Sequence, residues 1–152
     1  MKIIINYHYH FLKSLKTHAM PPPTQIYTDG SCRDTIGGYS FIILTDDYEL
    51  EWADRVPNTT NNRMELTAVI EALRCLPPAT SVIVYTDSQW VINCAQKLWK
   101  RNKNIDLWAQ YDSVATIFTS IQYKWVKGHS GDVYNERCDK LAYNEVVKKI
   151  VC

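Results

Sequence analysis

Apolar and polar positions change period along this chain. Residues 25–28 (QIYT) read as a short buried strand that ends at Asp29-Gly30-Ser31. Residues 38–44 (GYSFIIL) are rich in aromatic and β-branched side chains and form a second strand. Thr45-Asp46-Asp47 is a hairpin turn, residues 48–56 (YELEWADRV) alternate as a third strand, and Pro57-Asn58 stops it. An antiparallel meander is therefore expected first.

The period then becomes helical. Leu66, Val69, Ile70 and Leu73 recur at i, i+3, i+4 and i+7 and predict a helix over roughly 62–76, with Glu65 in its first turn and Pro77-Pro78 at its end. Residues 81–86 (SVIVYT) are apolar almost throughout, as a buried central strand would be, and Ser88 is placed to cap the next helix. Val91, Ile92, Ala95, Leu98 and Trp99 make that helix's apolar stripe. A third helix starts near Asp106, residues 122–126 (QYKWV) form the last strand, and a loop over 127–136 leads to a final helix with Cys138, Leu141, Ala142 and Val146 inward. The order β-β-β-α-β-α-α-β-α predicts a mixed α/β fold, a five-stranded mixed sheet flanked by helices with right-handed crossovers.

Length and charge narrow the class. The chain has 152 residues, 46% of them apolar, enough for one packed domain. Seventeen Lys and Arg against sixteen Asp and Glu leave a net charge of +1, so affinity for nucleic acid must come from a local patch. Five cysteines without C-x-x-C spacing fit free thiols better than a disulfide framework or structural zinc. No run approaches the ~18 apolar residues of a membrane span. The N-terminal stretch is interrupted by His8, His10, Lys13 and Lys16 and ends at Pro21-Pro22-Pro23. Residues 1–24 are read as an extension and proline spacer, an added strand or a disordered tail, with Met20 an alternative start, and 25–152 as the functional domain. His8 and His10 could chelate a metal, but a solvated pair is the simpler reading.

Three carboxylates stand at junctions between elements, Asp29, Glu65 and Asp87, and Asp139 lies beside the inward Cys138 on the final helix. Each alone could be an ordinary turn, cap or surface acid. Together they would repel unless they shared protons or held cations, and all-oxygen ligation favours hard Mg2+, with Mn2+ as a substitute. Two such ions side by side suit phosphodiester hydrolysis, one activating water and the other stabilising the leaving oxygen.

The words around these acids carry a family resemblance. YTDGSC (27–32), TTNNRMEL (59–66), YTDSQWV (85–91) and WVKGHSG with NERCDKLA (125–131 and 135–142) resemble type 1 ribonuclease H, over roughly residues 25–145. The resemblance implies that family's sheet order, 3-2-1-4-5, and a metal-dependent endoribonuclease that hydrolyses the RNA strand of RNA–DNA hybrids, leaving 5′-phosphate and 3′-hydroxyl ends. It implies that Asp29, Glu65, Asp87 and Asp139 hold two Mg2+ ions; a monomer is expected, placed in the cytoplasm with nucleoid and nucleus left open. His129, flanked by Gly128 and Gly131, sits in a loop from which a histidine could shuttle a proton or help product leave.

Hybrid recognition has its own candidates. Asn61, Asn62 and Gln89 adjoin the acids and offer both donors and acceptors to sugars and base edges, although Asn61 or Asn62 could also cap the helix. The resemblance implies that Thr60 and Asn104 hold a phosphate of the DNA strand. Trp90 and Trp99 with Lys97, Lys100, Arg101 and Lys103 make a basic, aromatic stretch suited to phosphates and sugar faces, or else a solvated helix end. The long basic insertion of well-known family members is missing here, since only KRNK separates Trp99 from Asn104. Leu98 aligns with a channel-lining tryptophan of those members, and the stretch after the first strand is shortened. Weaker and more salt-sensitive hybrid binding is the expectation. Two rivals are a DNA-cutting relative on the same sheet, such as a resolvase or transposase core, and a non-catalytic hybrid-binding module; the asparagine-rich block and the presence of all four acids argue against them.

Overall fold

The computed structural model describes residues 2–5 and 20–148, so His8, His10, His18 and Cys152 lie outside the described residues. Strands β1 (Lys2–Ile5), β2 (Thr24–Arg33), β3 (Ile36–Leu44) and β4 (Tyr48–Val56) precede helix α1 (Asn61–Arg74) and strand β5 (Ser81–Thr86). Helices α2 (Gln89–Ala95) and α3 (Ile105–Ala115), strand β6 (Ser120–Trp125) and helix α4 (Val133–Val147) follow. The sheet order is β1-β4-β3-β2-β5-β6. Its last five strands are those expected from the sequence, in the order 3-2-1-4-5, with β5 parallel to both β2 and β6. Residues 2–5 add a sixth strand antiparallel to β4, the added-strand alternative for this part of the N-terminal segment.

Two elements differ from expectation, each for a local reason. Strand β2 does not end at Thr28. Asp29, Gly30 and Ser31 pair with Ser40, Tyr39 and Gly38, and the ladder runs on to Arg33. A two-residue turn at Asp34 and Thr35, both left-handed (φ 49° and 64°), closes this hairpin with a twist that suits antiparallel strands. The parallel ladder on the other side of β2 stops at Tyr27 opposite Tyr85. Asp29 is thus mid-strand on one side and past the strand end on the other.

Helix α2 is also shorter than its apolar stripe suggests. Lys97 adopts φ 59°, and the Asn93 carbonyl accepts from both Leu98 N (2.8 Å) and Trp99 N (3.1 Å), a left-handed termination of the helix. Leu98 and Trp99 are consequently exposed, not part of the core.

The main core lies between the sheet and α1, where Leu66, Val69, Ile70 and Leu73 meet Ile26, Phe41, Val82 and Val84. Trp108 and Tyr111 of α3 extend it. A smaller cluster, Tyr27, Ile42 and Cys138, sits on the opposite face under α4, and Ser40 Oγ donates to the Cys138 carbonyl at 2.6 Å. Helices on both faces clamp the carboxyl end of the parallel strands, where α/β sheets place their ligands.

Candidate active site

Strand β2 carries Asp29 into this end of the sheet, buried to 4% exposure, with its Oδ1 accepting from the Gly30 amide at 2.8 Å. Gly30 sets the distance to α1. A Cβ there would lie 2.3 Å from the Glu65 amide nitrogen, so only glycine lets the helix backbone sit this close to the strand. Thr60 caps α1 by accepting from Arg63 N at 3.3 Å, in place of the expected Asn61 or Asn62, and this start puts Glu65 in the second turn and not the first. Asp87 follows β5, whose chain turns at once into α2 through Ser88, the expected cap, accepting from Val91 N at 3.2 Å. One carboxylate oxygen from each of Asp29, Glu65 and Asp87 lies within 4.8 Å of the others.

Such crowding is costly for charge. Burial, then the neighbouring Asp87, pushes the Asp29 carboxyl up to about 8 from an ordinary 3.8. Burial raises Glu65 well above the usual carboxylate range, with Asp29 and Asp87 adding repulsion. Asp87 is raised by burial and by Asp139, and His129 partly offsets this. Among the described residues no donor reaches Glu65 Oε2, although that atom is fully buried. An orphaned buried oxygen within an all-carboxylate cluster fits a hard divalent cation and no anion.

Asp139 on α4 flanks this trio from a more open position, with its side chain 41% exposed. His129 Nδ1 stands 3.9 Å from Asp139 Oδ2, on a left-handed residue (φ 53°) of an exposed loop. That loop touches the trio through Gly128, where a Cβ would meet Asp87 Oδ2 at 2.7 Å. Trp125, which the sequence reading passed over, donates from Nε1 to the Asp87 carbonyl at 3.1 Å. Its register opposite Thr86, the residue before Asp87, is the signal that would have found it.

Around the acids lies a polar rim. Asn61, Asn62 and Thr60 are exposed at the start of α1, Gln89 is exposed at the start of α2, and Asn104 is half-buried ahead of α3. Lys100 and Trp99 are exposed in the segment between α2 and α3. Trp90 instead packs on Trp108, their rings 5.6 Å apart. Arg101 is engaged within the fold. Its guanidinium lies 4.2 Å over the Trp108 ring, donates to the Cys94 carbonyl at 2.9 Å and pairs with Asp112 at 2.8 Å. These contacts of Nε, Nη1 and the guanidinium face tie the segment between α2 and α3 to α3.

Comparison with known proteins places this geometry in context. The family model described as RNase H matches residues 21–147. A ribonuclease H of Wolbachia pipientis is 42% identical over 137 residues, covering 80% of this chain and 94% of that protein. One from Ehrlichia canis is 43% identical over 138 residues, covering 81% and 94%. Among solved structures, the RNase H1 of the halophilic archaeon Halobacterium salinarum superposes with a TM-score of 0.70 at 24% identity, over 82% of this chain and 98% of that one. LC11-RNase H1, solved in complex with an RNA/DNA hybrid, gives 0.71 at 21% identity, over 81% and 96%, and shares the fold.

Proposed function

The chain belongs to the RNase H family, hydrolases that act on nucleic acid, and from that premise we propose that it cleaves the RNA strand of RNA–DNA hybrids with Mg2+, leaving 5′-phosphate and 3′-hydroxyl ends. The observation that carries this reading is the cluster of Asp29, Glu65 and Asp87 at the carboxyl end of the parallel strands.

In this reading Asp29, Glu65 and Asp87 hold the cations, and Asp139 completes the set from α4. Divalent ions held there would supply Lewis-acid activation of water and stabilisation of the charge that develops on the leaving 3′-oxygen. The chain's part is pre-organisation. Gly30 and the Thr60 cap fix Glu65 against Asp29, and Trp125 and Gly128 fix Asp87 from the other side. His129, on its exposed loop beside Asp139, accepts and passes on a proton at an imidazole nitrogen as product leaves. Asn61, Asn62 and Gln89 read the 2′-hydroxyl-bearing minor groove, a shallow surface that suits short amide side chains. Thr60 and Asn104 take a phosphate of the DNA strand, and Trp99 and Lys100 meet the backbone beyond the acids. Residues 1–24 are dispensable for the chemistry, so a chain beginning at Met20 retains turnover.

A strand-labelled hybrid incubated with the purified chain, with and without Mg2+, beside duplex DNA and duplex RNA, tests the proposal. Metal-dependent loss of the hybrid's RNA strand alone is expected. Binding of hybrid without product in Mg2+ or Mn2+ would overturn it in favour of a binding module, and cleavage of duplex DNA would favour a DNA-cutting relative.

A further inference from the structure

Arg63 touches both residues assigned to the phosphate. Its backbone N–H donates to Thr60 Oγ1 at 3.3 Å, and its guanidinium Nη1 donates to Asn104 Oδ1, also at 3.3 Å. Nη1 and Nη2 further grip Asp106 Oδ1 and Oδ2 at 2.9 Å and 2.6 Å. One side chain thereby ties the start of α1 to the start of α3.

The chemistry of the donor decides how its partners face. A guanidinium has only N–H groups, so the Asn104 atom turned towards it is the amide oxygen, and the NH2 group points the other way. Asn104 occupies the cap position of α3, where an asparagine normally gives its oxygen to its own helix, yet it makes no such bond and sits in the left-handed region at φ 58°. Its oxygen is committed to Arg63 instead. At Thr60 the same logic holds, because the hydroxyl oxygen accepts from the Arg63 amide and its proton is left to donate outward from an exposed residue. Asp106 meanwhile neutralises the guanidinium, so Arg63 itself adds no free positive charge beside the two oriented dipoles.

We propose that the Arg63 side chain is a positioning group that holds Asn104 beside the helix-capping Thr60, whose own contact is to the Arg63 backbone, so that the two form a pair of outward-facing neutral donors for one phosphate of the bound hybrid. This inference rests on the hybrid-cleaving function proposed above and deepens it. The binding energy it controls is realised in substrate affinity and not in the chemical step, because the Arg63 guanidinium engages Asn104 and Asp106 at the start of α3.

Steady-state cleavage and equilibrium hybrid binding by the full chain test it with Arg63→Met, Arg63→Lys, Asn104→Ala and the Arg63→Met/Asn104→Ala double variant. Arg63→Met raises Kd and KM roughly five- to tenfold while kcat at saturation stays within about twofold, the size expected for one lost phosphate contact. Asn104→Ala matches it, and the double variant is no worse than either alone, since both remove the same contact. Arg63→Lys keeps the Asp106 pair and one rotating donor and loses about threefold; it also carries the test if Arg63→Met does not fold. An unchanged Kd in the arginine variants, or effects that multiply in the double variant, would overturn the proposal. An unchanged Kd in Asn104→Ala would refute the phosphate role of Asn104 itself, and a wild-type chain that cuts no hybrid would refute the function on which both rest.

Discussion

Gly30 and Glu65 approach so closely that a single methyl group on Gly30 would lie 2.3 Å from the Glu65 backbone nitrogen and 2.5 Å from the Met64 carbonyl carbon. Both neighbours are main chain and cannot rotate away. Gly30→Ala must therefore push α1 off β2, moving Glu65 away from Asp29. The expected loss is about 1–3 kcal/mol of stability, as for other overpacked buried sites, together with roughly a hundredfold of turnover. Denaturant melts and hybrid cleavage measure the two; near-wild-type values for both would show that the helix has room to move.

The acid cluster makes a pH prediction whose sign is fixed. Asp29 has an ordinary value of 3.8 and about 8 when folded, so the folded state holds its proton more tightly than the unfolded chain. The stability this contributes is full below about pH 4 and disappears as the pH rises through about 8. In EDTA the protein should therefore lose stability over this range through its cluster, and Mg2+ should restore more stability at pH 8.5 than at pH 5. Asp29→Asn removes one of the repelling charges. In EDTA near pH 8.5 it should raise Tm by about 3–6 °C while eliminating cleavage. A variant that melts lower than wild type there, or that still cleaves, contradicts the assignment.

How much of this could be read beforehand differs by residue. The bounds of β4 and β5 and the placement of Asp87 just after β5 were legible because alternation and apolar runs mark strands. The end of β2 was misread, since Asp29-Gly30-Ser31 has turn chemistry in sequence but is overridden by nine residue pairs along β3. Arg101 looked like a phosphate ligand because its partners Trp108 and Asp112 come later in the chain and meet it only through the packing of α3. Trp125 and Arg63 were missed for the same reason: each acts through a long-range hydrogen bond that no local spacing records. Glu65 shows the opposite case, a residue found by its surrounding motif although its turn of the helix was misjudged.

Trp125 offers a narrower test. Its indole N–H anchors the Asp87 carbonyl while about half the ring is exposed, so the ring contributes less burial than its size suggests. Trp125→Phe keeps an aromatic ring, though a smaller one, and deletes the donor. One hydrogen bond of about 1 kcal/mol is at stake, so turnover should fall roughly three- to fivefold and half-activation should need more Mg2+, with KM for hybrid unchanged. A change confined to KM would move Trp125 from positioning Asp87 to contacting substrate.

Ala79 provides a control away from the acids. It precedes β5, whereas Asp87 follows it, and it holds φ 58° while its amide donates to the Ile117 carbonyl at 2.8 Å and its carbonyl accepts from Thr119 at 3.0 Å. Bonded on both sides, the residue cannot relax out of the left-handed region. Ala79→Gly removes the Cβ clash and should add about 0.5–1 kcal/mol of stability with activity intact. A lower Tm would mean that the entropy gained by the unfolded chain outweighs the relieved strain.

Salt dependence probes the remaining charge. Arg101 is neutralised by Asp112 and Arg63 by Asp106, which leaves Lys97, Lys100 and Lys103 as the exposed cations of the segment between α2 and α3. Each phosphate neutralised by a lysine releases condensed counterions, so a plot of log affinity against log salt should fall with a slope of about −2 to −3. Lys100→Ala should flatten it by about 1 and weaken binding to hybrids of any sequence alike. Asn104→Ala, which removes a neutral donor, should weaken binding without changing the slope. A Kd that is the same at low and high salt would remove the lysines from the interface and leave the neutral donors as the sole source of affinity.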